Sequence, residues 1–132
     1  MIHNVTVTGG AGFIGSHMVR YLQVQGCRVT IVDNFRTGRH EFVPSGVTVH
    51  EGDILDTNLL LTAFDGADWI VHLAANPDAR RGPDRVFFDL EQNARGTATV
   101  LDAMRQVGTS RIVYASSASV YGNTTENPVP ET

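Results

Sequence analysis

The chain has 132 residues, of which 42% are hydrophobic and 18% are charged, and its formal net charge is −4. This composition predicts one folded domain rather than a disordered chain. The acidic balance, with no block of basic residues, argues against a nucleic acid partner bound through its phosphates. Cys27 is the only cysteine, and no apolar run approaches the ~20 residues that a membrane-spanning helix needs. We therefore expect a cytoplasmic protein with no disulfide and no membrane segment.

Five short apolar runs, each typical of a strand, follow one another at 3–8, 28–33, 47–50, 68–74 and 111–115. They are rich in Val and Ile, as is typical of strands that are buried on both faces of a parallel sheet. Longer stretches with helical spacing lie between them. This alternation predicts an α/β fold in which helices cover both faces of the sheet.

Two helices are predicted in the first half of the chain. The first covers 13–25 and ends at Gly26. Its side chains at helical spacing are Ile14, Met18, Tyr21, Leu22 and Gln25. The second begins at Asp56, whose carboxylate suits an N-cap, and ends before Gly66. Its apolar side consists of Leu59, Leu60, Ala63 and Phe64.

A third, longer helix is predicted to start near Pro83, which suits a first helical turn, and to end before Gly108. One buried stripe is expected along it, made of Val86, Phe87, Leu90, Ala94, Thr97, Leu101 and Met104. The polar segment 123–132 is predicted to be a loop. Right-handed crossovers then favour a doubly wound, Rossmann-like parallel sheet of order 3-2-1-4-5, in one domain over 1–132.

Gly9, Gly12 and Gly15 separate the first strand from the first helix in the pattern G-x-x-G-x-x-G. Gly9 allows a tight exit from the strand, Gly12 leaves space for a diphosphate to touch the backbone, and Gly15 lets the helix approach the sheet. The first N–H groups of the helix, around Phe13 and Ile14, have no intrahelical partner. The pattern therefore predicts an anion site made of backbone amides, although such turns also occur for structural reasons alone.

Asp33 ends the second predicted strand. An acidic residue about 20 residues beyond a glycine turn is expected to accept hydrogen bonds from a ribose of a bound dinucleotide. Its carboxylate would repel a 2′-phosphate, which favours NAD over NADP. Arg36 and Arg39 leave NADP open, because a nearby arginine can hold that phosphate. A simple turn residue is the alternative interpretation of Asp33.

Ser116 and Ser117 follow the fifth predicted strand. Because ligands of doubly wound sheets bind beyond the carboxyl ends of the strands, both hydroxyls are expected to face the crevice of the glycine turn. Ordinary turn chemistry is the alternative, since serine is common after strands. The five histidines lack the spacing of metal ligands, so no metal site is predicted. His72, on a buried strand, is expected to be a hydrogen-bonded core residue.

Six stretches form a set that is more specific than any one of them. They are TGGAGFIGSH at 8–17, VDN at 32–34, EGDI at 51–54, HLAA at 72–75, QNARGT at 92–97 and SSASVYG at 116–122. Together they resemble the extended short-chain dehydrogenase/reductase family, and within it the NAD-dependent nucleotide-sugar epimerases of the UDP-glucose 4-epimerase group. The resemblance spans the whole chain. It implies NAD as cofactor, a nucleotide sugar (a UDP-sugar) as substrate, and transient hydride transfer at C4 of the sugar.

The resemblance also assigns residues by position. It implies that the glycine turn holds the diphosphate, that an Asp-Asn pair holds the adenosine ribose, and that an Asp-Ile pair borders the adenine. The implied cofactor-binding residues are Gly9, Gly12, Phe13, Ile14, Gly15, Asp33, Asn34, Asp53, Ile54, Leu73, Ala74, Ala75 and Asn93. Helical spacing alone would not have selected Asn93. Ser117 matches the family's catalytic serine, which shares the hydrogen bond to the sugar 4-oxygen, and Ser116 adjoins the substrate.

One part of the family pattern is missing. The family's Tyr-x-x-x-Lys pair, in which lysine and cofactor lower the pKa of the tyrosine that takes the substrate proton, is absent, and the chain contains no lysine. We therefore expect either part of a longer enzyme or a short protein that keeps the cofactor site, nearly inactive alone in both cases. Ala118 and Ser119 stand where related 4,6-dehydratases carry Asp-Glu, which favours epimerisation over loss of water.

Three functions remain open from the sequence. The first is the NAD-binding half of a nucleotide-sugar epimerase, with a dehydratase or decarboxylase as the alternative within the family. The second is a module that binds NAD without turnover, and the third is an interaction domain without a ligand. The resemblance further implies a homodimer through the long helices, and the expected edge beyond the fifth strand also suits pairing with another copy.

Overall fold

The computed structural model describes residues 3–76, 86–123 and 125–131, in which five parallel strands form one sheet. The strands are β1 (Asn4–Thr8), β2 (Arg28–Asp33), β3 (Thr48–Glu51), β4 (Trp69–His72) and β5 (Ile112–Tyr114). Their order is β3-β2-β1-β4-β5, so β1 lies in the centre and pairs with β2 and β4. The predicted doubly wound order is confirmed, and the strand ends differ from the prediction by one or two residues.

Helices connect the strands on both faces of the sheet. They are α1 (Phe13–Val24), α2 (Thr57–Phe64), α3 (Val86–Asp89) and α4 (Gly96–Val107), with a π-helical segment, Leu90–Arg95, between α3 and α4. Short 3₁₀ turns lie at His40–Phe42 and Ala118–Tyr121. Pro83 and the side chains of Val86, Ala118 and Ser119 lie outside the described part. Within that part, no helix has both the length and the apolar character that crossing a bilayer requires.

The core consists of two apolar layers, one on each face of the sheet. Ile31 and Val32 are neighbours in β2 and belong to opposite layers, as the alternation of side chains along a strand requires. On one face, Ile31 packs with Val19 of α1. On the other, Val32 packs with Phe64 of α2 and Val100 of α4. Both layers thus fix the carboxyl end of β2.

The N-cap prediction for α2 is confirmed. One oxygen of the Asp56 carboxylate accepts hydrogen bonds from the N–H groups of Asn58 (2.9 Å) and Leu59 (3.1 Å). Leu60 and Phe64 of this helix are fully buried against the sheet and α4.

The extent of α1 agrees with the prediction, and the predicted Met18 and Leu22 pack against the core, but other residues of the expected apolar side do not. Ile14 and Tyr21 are 64% and 60% exposed, whereas Gly15, Ser16 and Val19 are buried. The reason is that Gly15 must contact the turn that precedes the helix, which directs the face containing Gly15 inward and turns Ile14 outward.

The stripe predicted for the long helix is only partly correct: Met104 is buried and Thr97 is half-buried, but its other described side chains are exposed. Phe87, Leu90 and Leu101 are 77%, 59% and 49% exposed, and Ala94 is exposed as well. The buried residues are Gly96, Val100, Ala103 and Met104. A π-helical segment interrupts the helix, since the Gly96 N–H donates to the Glu91 carbonyl five residues back. Each inserted residue rotates the following positions by about 100°, so a pattern read before the segment does not continue after it.

Candidate functional site

A cavity of about 440 Å³ opens at the carboxyl ends of β1, β2 and β4, in front of the N-terminus of α1. Four stretches that are distant in sequence form its walls: the glycine turn, the end of β2, the loop after β3 and the loop after β4. Eleven of the predicted cofactor-binding residues line it: Gly9, Gly12, Phe13, Ile14, Gly15, Asp33, Asn34, Ile54, Leu73, Ala74 and Ala75. Of the remaining two, Asp53 contacts the lining residues Asn34 and Gln92, and Asn93 contacts Asn76, the residue after the lining stretch 73–75.

Gly9 is required at the exit of β1 for two reasons. Its φ is +72°, a conformation that disfavours any residue with a Cβ, and an added Cβ would lie 2.7 Å from the amide nitrogen of Ala74. Its N–H donates to the Val32 carbonyl at 2.8 Å, and its carbonyl accepts from the Gly12 N–H at 3.1 Å. The turn is therefore packed directly against the loop that follows β4.

Gly15 allows contact within the turn itself rather than with the sheet. An added Cβ would collide with the carbonyl oxygen of Gly9 and approach the Cα of Gly10 to 2.8 Å. At Gly12, by contrast, an added Cβ would lie 3.3 Å from the Gly9 oxygen, which is tight but not prohibitive. Gly10 was not part of the predicted triplet, although a Cβ there would lie 2.7 Å from the Ile31 side chain.

The N-terminus of α1 is ready for an anion. Its N-cap, Gly12, has no side chain to occupy the first N–H groups, and its first turn contains no acidic residue. Phe13 and Ile14 line the cavity with their side chains largely exposed. The N–H groups of a first helical turn lack intrahelical acceptors, and the helix dipole adds about half a positive charge there.

Asp33 is 8% exposed and serves the turn as well as the cavity. One carboxylate oxygen accepts from the Ala11 N–H, and the other from the Phe35 N–H, both at 2.9 Å. Phe35 has a φ of 53°, and the second bond offsets the strain of that conformation. A carboxylate has about four lone-pair sites, so two remain free on the cavity side. Asp33 is thus a structural anchor that keeps the capacity to accept from a ligand.

Asp53 supports the neighbouring wall. Its carboxylate accepts from the Asn34 side-chain amide at 2.9 Å and from the Leu55 N–H at 3.0 Å. Gln92, in the π-helical segment, donates to it at 3.3 Å and lines the cavity. Ile54, the next residue, is buried and contributes apolar surface to the wall.

The loop after β4 is held by Asn93. The side-chain oxygen of Asn93 accepts from the N–H of Asn76 at 2.7 Å, and the side chain of Asn76 donates to Asp89 at 2.5 Å. Leu73, Ala74 and Ala75, immediately before Asn76, line the cavity. Asn93 therefore acts on the wall through the backbone, which residue spacing could not indicate.

His72 is a hydrogen-bonded core residue, as predicted. It is 1% exposed, and its ring lies 2.6 Å from the Thr8 hydroxyl at Nδ1 and 3.1 Å from the Thr97 hydroxyl at Nε2. Burial lowers the pKa of His72 to about 4, so the ring is neutral at pH 7. The sequence placed Thr97 in a buried stripe but predicted no contact of His72 with either threonine, and only knowledge of which strand ends meet the long helix could have done so.

Ser116 and Ser117 follow β5 and are both exposed. The lining of the cavity includes the residue before them, Ala115, whose N–H donates to the His72 carbonyl at 3.3 Å. The Ser117 carbonyl accepts from the Val120 N–H at 3.2 Å in the 3₁₀ turn. Both serines thus stand at the rim, and their assigned roles remain predictions.

Five lining residues were not among the predicted cofactor-binding residues: Val32, Thr37, Gly52, Gln92 and Ala115. Thr37 lies four residues after Asp33, so the sequence could have indicated that its loop borders the ligand. Gln92 lies in the π-helical segment, which the sequence pattern did not indicate. Across residues 3–76, 86–123 and 125–131, no group of three His, Cys, Asp or Glu side chains could hold a metal ion.

Residues 5–132 match the model of a family described as the NAD dependent epimerase/dehydratase family. Among curated relatives, a UDP-glucose 4-epimerase of Lacticaseibacillus casei is 38% identical over 97% of this chain and 39% of its own length. A UDP-N-acetyl-alpha-D-glucosaminuronate decarboxylase of Bacillus cytotoxicus is 36% identical over 90% of this chain and 38% of its own length. The chain thus spans about two fifths of the length of the curated relatives it matches.

The chain also resembles a solved UDP-glucose 4-epimerase structure over most of its length. A UDP-glucose 4-epimerase from Stenotrophomonas maltophila, with bound NAD and formylated UDP-arabinopyranose, superposes with a TM-score of 0.90 at 32% identity. The match covers 98% of this chain and 41% of that one.

Proposed function

The chain belongs to the NAD dependent epimerase/dehydratase family, and from that premise we propose that it is the NAD-binding part of an enzyme that epimerises a UDP-sugar at C4. One observation carries the proposal. The glycine turn, the uncapped N-terminus of α1 and the carboxylate of Asp33 converge on one cavity at the carboxyl ends of the strands. Ligands of doubly wound sheets bind at this place.

The residues present fit NAD. Gly9, Gly12 and Gly15 form a cradle that a Cβ at either outer glycine would block. The first N–H groups of α1 would bind the diphosphate. The free lone pairs of Asp33 would accept from the ribose hydroxyls, with Asn34 beside it, and Ile54 would border the adenine. Ala74 and Ala75 leave a smooth wall on the opposite side.

The charges around the ribose site favour NAD over NADP. A 2′-phosphate would meet the carboxylate of Asp33 at close range. Arg36 and Arg39, the residues that kept NADP open, have other contacts. The Arg36 guanidinium lies 4.2 Å from the centre of the Phe88 ring, and Arg39 pairs with Glu41 at 3.1 Å.

The proposed chemistry divides between cofactor and chain. When bound, NAD accepts a hydride from carbon and can return it. The chain holds the dinucleotide in the cavity and presents Ser116 and Ser117 at its rim, where the Ser117 hydroxyl would share a hydrogen bond with the sugar 4-oxygen. The solved relative with NAD and a UDP-arabinopyranose derivative supports a UDP-sugar as the substrate.

The chain has no lysine and therefore no Tyr-x-x-x-Lys pair. Loss of a general base typically lowers a rate by about 10²–10⁴-fold. We therefore expect the 132 residues to bind NAD without turning over a UDP-sugar. Reading the gene beyond the codon for Thr132 tests the epimerase assignment, since a parent protein that continues without this pair would not epimerise by this route.

Calorimetric titration tests the cofactor assignment. We expect NAD to bind at one site, with NADP at least about tenfold weaker because of the Asp33 carboxylate. The control is Asp102→Asn, which changes an exposed carboxylate on α4 away from the cavity and should bind NAD like the wild type. Equal affinity for NAD and NADP would contradict the role of Asp33.

A decarboxylase is the second candidate, because the Bacillus cytotoxicus relative is almost as similar as the epimerase. The epimerase and decarboxylase assignments are distinguished by assaying the whole protein that the gene encodes with UDP-galactose and with a UDP-uronic acid. Conversion of UDP-galactose to UDP-glucose supports the epimerase, and release of CO₂ supports the decarboxylase.

The cytoplasmic location and the homodimer stay predictions; the exposed Phe87 and Leu90 would suit a dimer contact.

A further inference from the structure

His72 is the buried titratable group that the proposed function leaves without a role. It lies at the end of β4, between Thr8 at the end of β1 and Thr97 in α4, and it is 1% exposed. Its two ring nitrogens contact two hydroxyl groups. Each hydroxyl has a further hydrogen bond to the backbone, so five groups form a chain across the core: the Ala74 N–H, the Thr8 hydroxyl, the His72 ring, the Thr97 hydroxyl and the Asn93 carbonyl.

The direction of every hydrogen bond in this chain is fixed by its two ends. At one end, the Thr97 hydroxyl donates to the Asn93 carbonyl at 2.7 Å, because a carbonyl can only accept. Thr97 must then accept from His72, which requires the proton on Nε2. At the other end, the N–H of Ala74 donates to the Thr8 hydroxyl at 3.3 Å. Because the neutral ring has its proton on Nε2, its Nδ1 is unprotonated and accepts from the Thr8 hydroxyl at 2.6 Å.

Both ends of the chain act on the same wall of the cavity. The Ala74 N–H belongs to the loop after β4, and so does the Asn76 N–H, which donates to the Asn93 side chain at 2.7 Å. The loop 73–76 is thus attached through His72 and through Asn93 to one π-helical segment. Gly9 touches this loop too, since an added Cβ would lie 2.7 Å from the Ala74 nitrogen.

We propose that His72, as the neutral Nε2–H tautomer, is a positioning residue: through Thr8 and Thr97 it holds the loop 73–76 against the glycine turn and sets the width of the cofactor cavity. This inference rests on the proposed function for its ligand, NAD. The His72 ring is hydrogen-bonded to Thr8 and Thr97, neither of which lines the cavity, so the ring acts on the cavity through its neighbours. A ring rotated or protonated differently would leave one of its four neighbouring groups without a partner.

The chain offers a matched pair of variants. Thr97 and Thr99 of α4 each donate a hydrogen bond to the carbonyl four residues back, at 2.7 and 2.9 Å. Of these two threonines, Thr97 is the one that contacts His72. Thr97→Val removes the hydroxyl at constant shape. Thr97→Ser keeps it, and Thr99→Val removes an equivalent back-bond that does not involve His72.

We expect Thr97→Val to weaken NAD binding about tenfold, because a buried imidazole donor loses its acceptor and the wall relaxes. Thr97→Ser should recover most of the affinity, and Thr99→Val should bind like the wild type. Wild-type affinity in Thr97→Val, or the same loss in Thr99→Val, would overturn the proposal.

NMR separates this inference from the proposed function, because it needs no ligand. The His72 ring should show the Nε2–H tautomer at pH 7, and the amide protons of Ala74 and Asn76 should exchange faster in Thr97→Val than in Thr99→Val. An Nδ1–H or charged ring, or unchanged exchange, would overturn the positioning role. Failure of the wild type to bind NAD while these signals appear as expected would remove the proposed function and leave the loop attachment standing.

Discussion

The two sides of the cavity are built in different ways. On the side of the glycine turn, consecutive residues present backbone groups, and Gly9 and Gly15 matter because they lack a side chain. On the opposite side, side chains from β1, β4 and α4 meet, and His72 connects them. The first side is specified by a short local sequence, whereas the second exists only once distant elements have packed.

This difference has a practical consequence for mutations. A substitution in the glycine turn adds side-chain atoms where the packing leaves no space. A change on the second side acts by removing a hydrogen-bond partner from a buried polar group, which costs about 1–3 kcal/mol. The predictions below use this distinction.

Gly15→Ala should have the largest effect. The new Cβ collides with the Gly9 carbonyl oxygen, a backbone atom that cannot move without opening the turn. We expect the free energy of unfolding to fall by roughly 4 kcal/mol and NAD affinity to fall about 100-fold. Urea denaturation and calorimetry measure the two effects.

Gly26→Ala is its control. Unlike Gly15, Gly26 has a positive φ, +80°, and an added Cβ there would meet nothing within 4 Å. The variant should lose about 1 kcal/mol through backbone strain alone and bind NAD normally. If Gly15→Ala behaved like Gly26→Ala, the turn would be more adaptable than its packing indicates.

Lowering the pH should reduce the stability of the protein through His72, which lies on the second side of the cavity. Its pKa is lowered to about 4 by burial, from an ordinary value of 6.5. The unfolded chain therefore takes up the proton first, and the contribution of His72 to stability, complete above pH 6.5, is lost as the pH falls towards 4. The loss amounts to about 3 kcal/mol.

Subtracting the pH dependence of His72→Gln from that of the wild type isolates this contribution. Unfolding free energies from urea titrations between pH 7 and pH 4 provide both curves. Parallel curves would show that His72 is not buried as a neutral ring.

Asp33→Asn combines features of both sides of the cavity, because the Asp33 side chain makes hydrogen bonds that support the backbone of the glycine turn. An amide has one acceptor oxygen for two N–H groups, those of Ala11 and Phe35. We expect stability to fall by about 2 kcal/mol and NAD affinity by about 30-fold. Asp102→Asn, on the exposed face of α4, should change neither quantity, and a loss of stability with normal NAD binding would confine Asp33 to its structural role.

Asp56→Ala should have the smallest effect and should leave the cavity intact. It removes the N-cap of α2, which is worth about 1 kcal/mol. The urea midpoint should fall while the affinity for NAD stays at the wild-type value, and Asp56→Ser should restore most of the stability. A change in NAD affinity would mean that α2 influences the cavity through the shared core.

The same difference between the two sides explains what the sequence could predict. The strand order, Gly9 and Asp33 follow from local patterns, since strand composition, glycine placement and the acid at the end of β2 are all short-range signals. The outward turn of Ile14 does not, because it depends on where Gly15 contacts the turn. The π-helical segment inserts a residue that periodicity cannot show, so one stripe does not run through the positions on both sides of it.

The roles of Thr8 and Thr97 were also beyond the sequence. The predicted stripe contained Thr97 and not Thr99, but threonine is common both in strands and on helix surfaces, and nothing local indicated a contact with His72. Only the parallel pairing of β1 with β4, which brings Thr8 beside His72, together with the turn of α4 at Gly96, makes the connection.

A crystal structure of this chain grown with NAD tests the central claim most directly. The account predicts that the diphosphate accepts hydrogen bonds from the first N–H groups of α1, at Phe13 and Ile14, and that the adenosine ribose hydroxyls donate to the Asp33 carboxylate. Dinucleotide density elsewhere, or a glycine turn closed over its own cavity in crystals saturated with NAD, would contradict it.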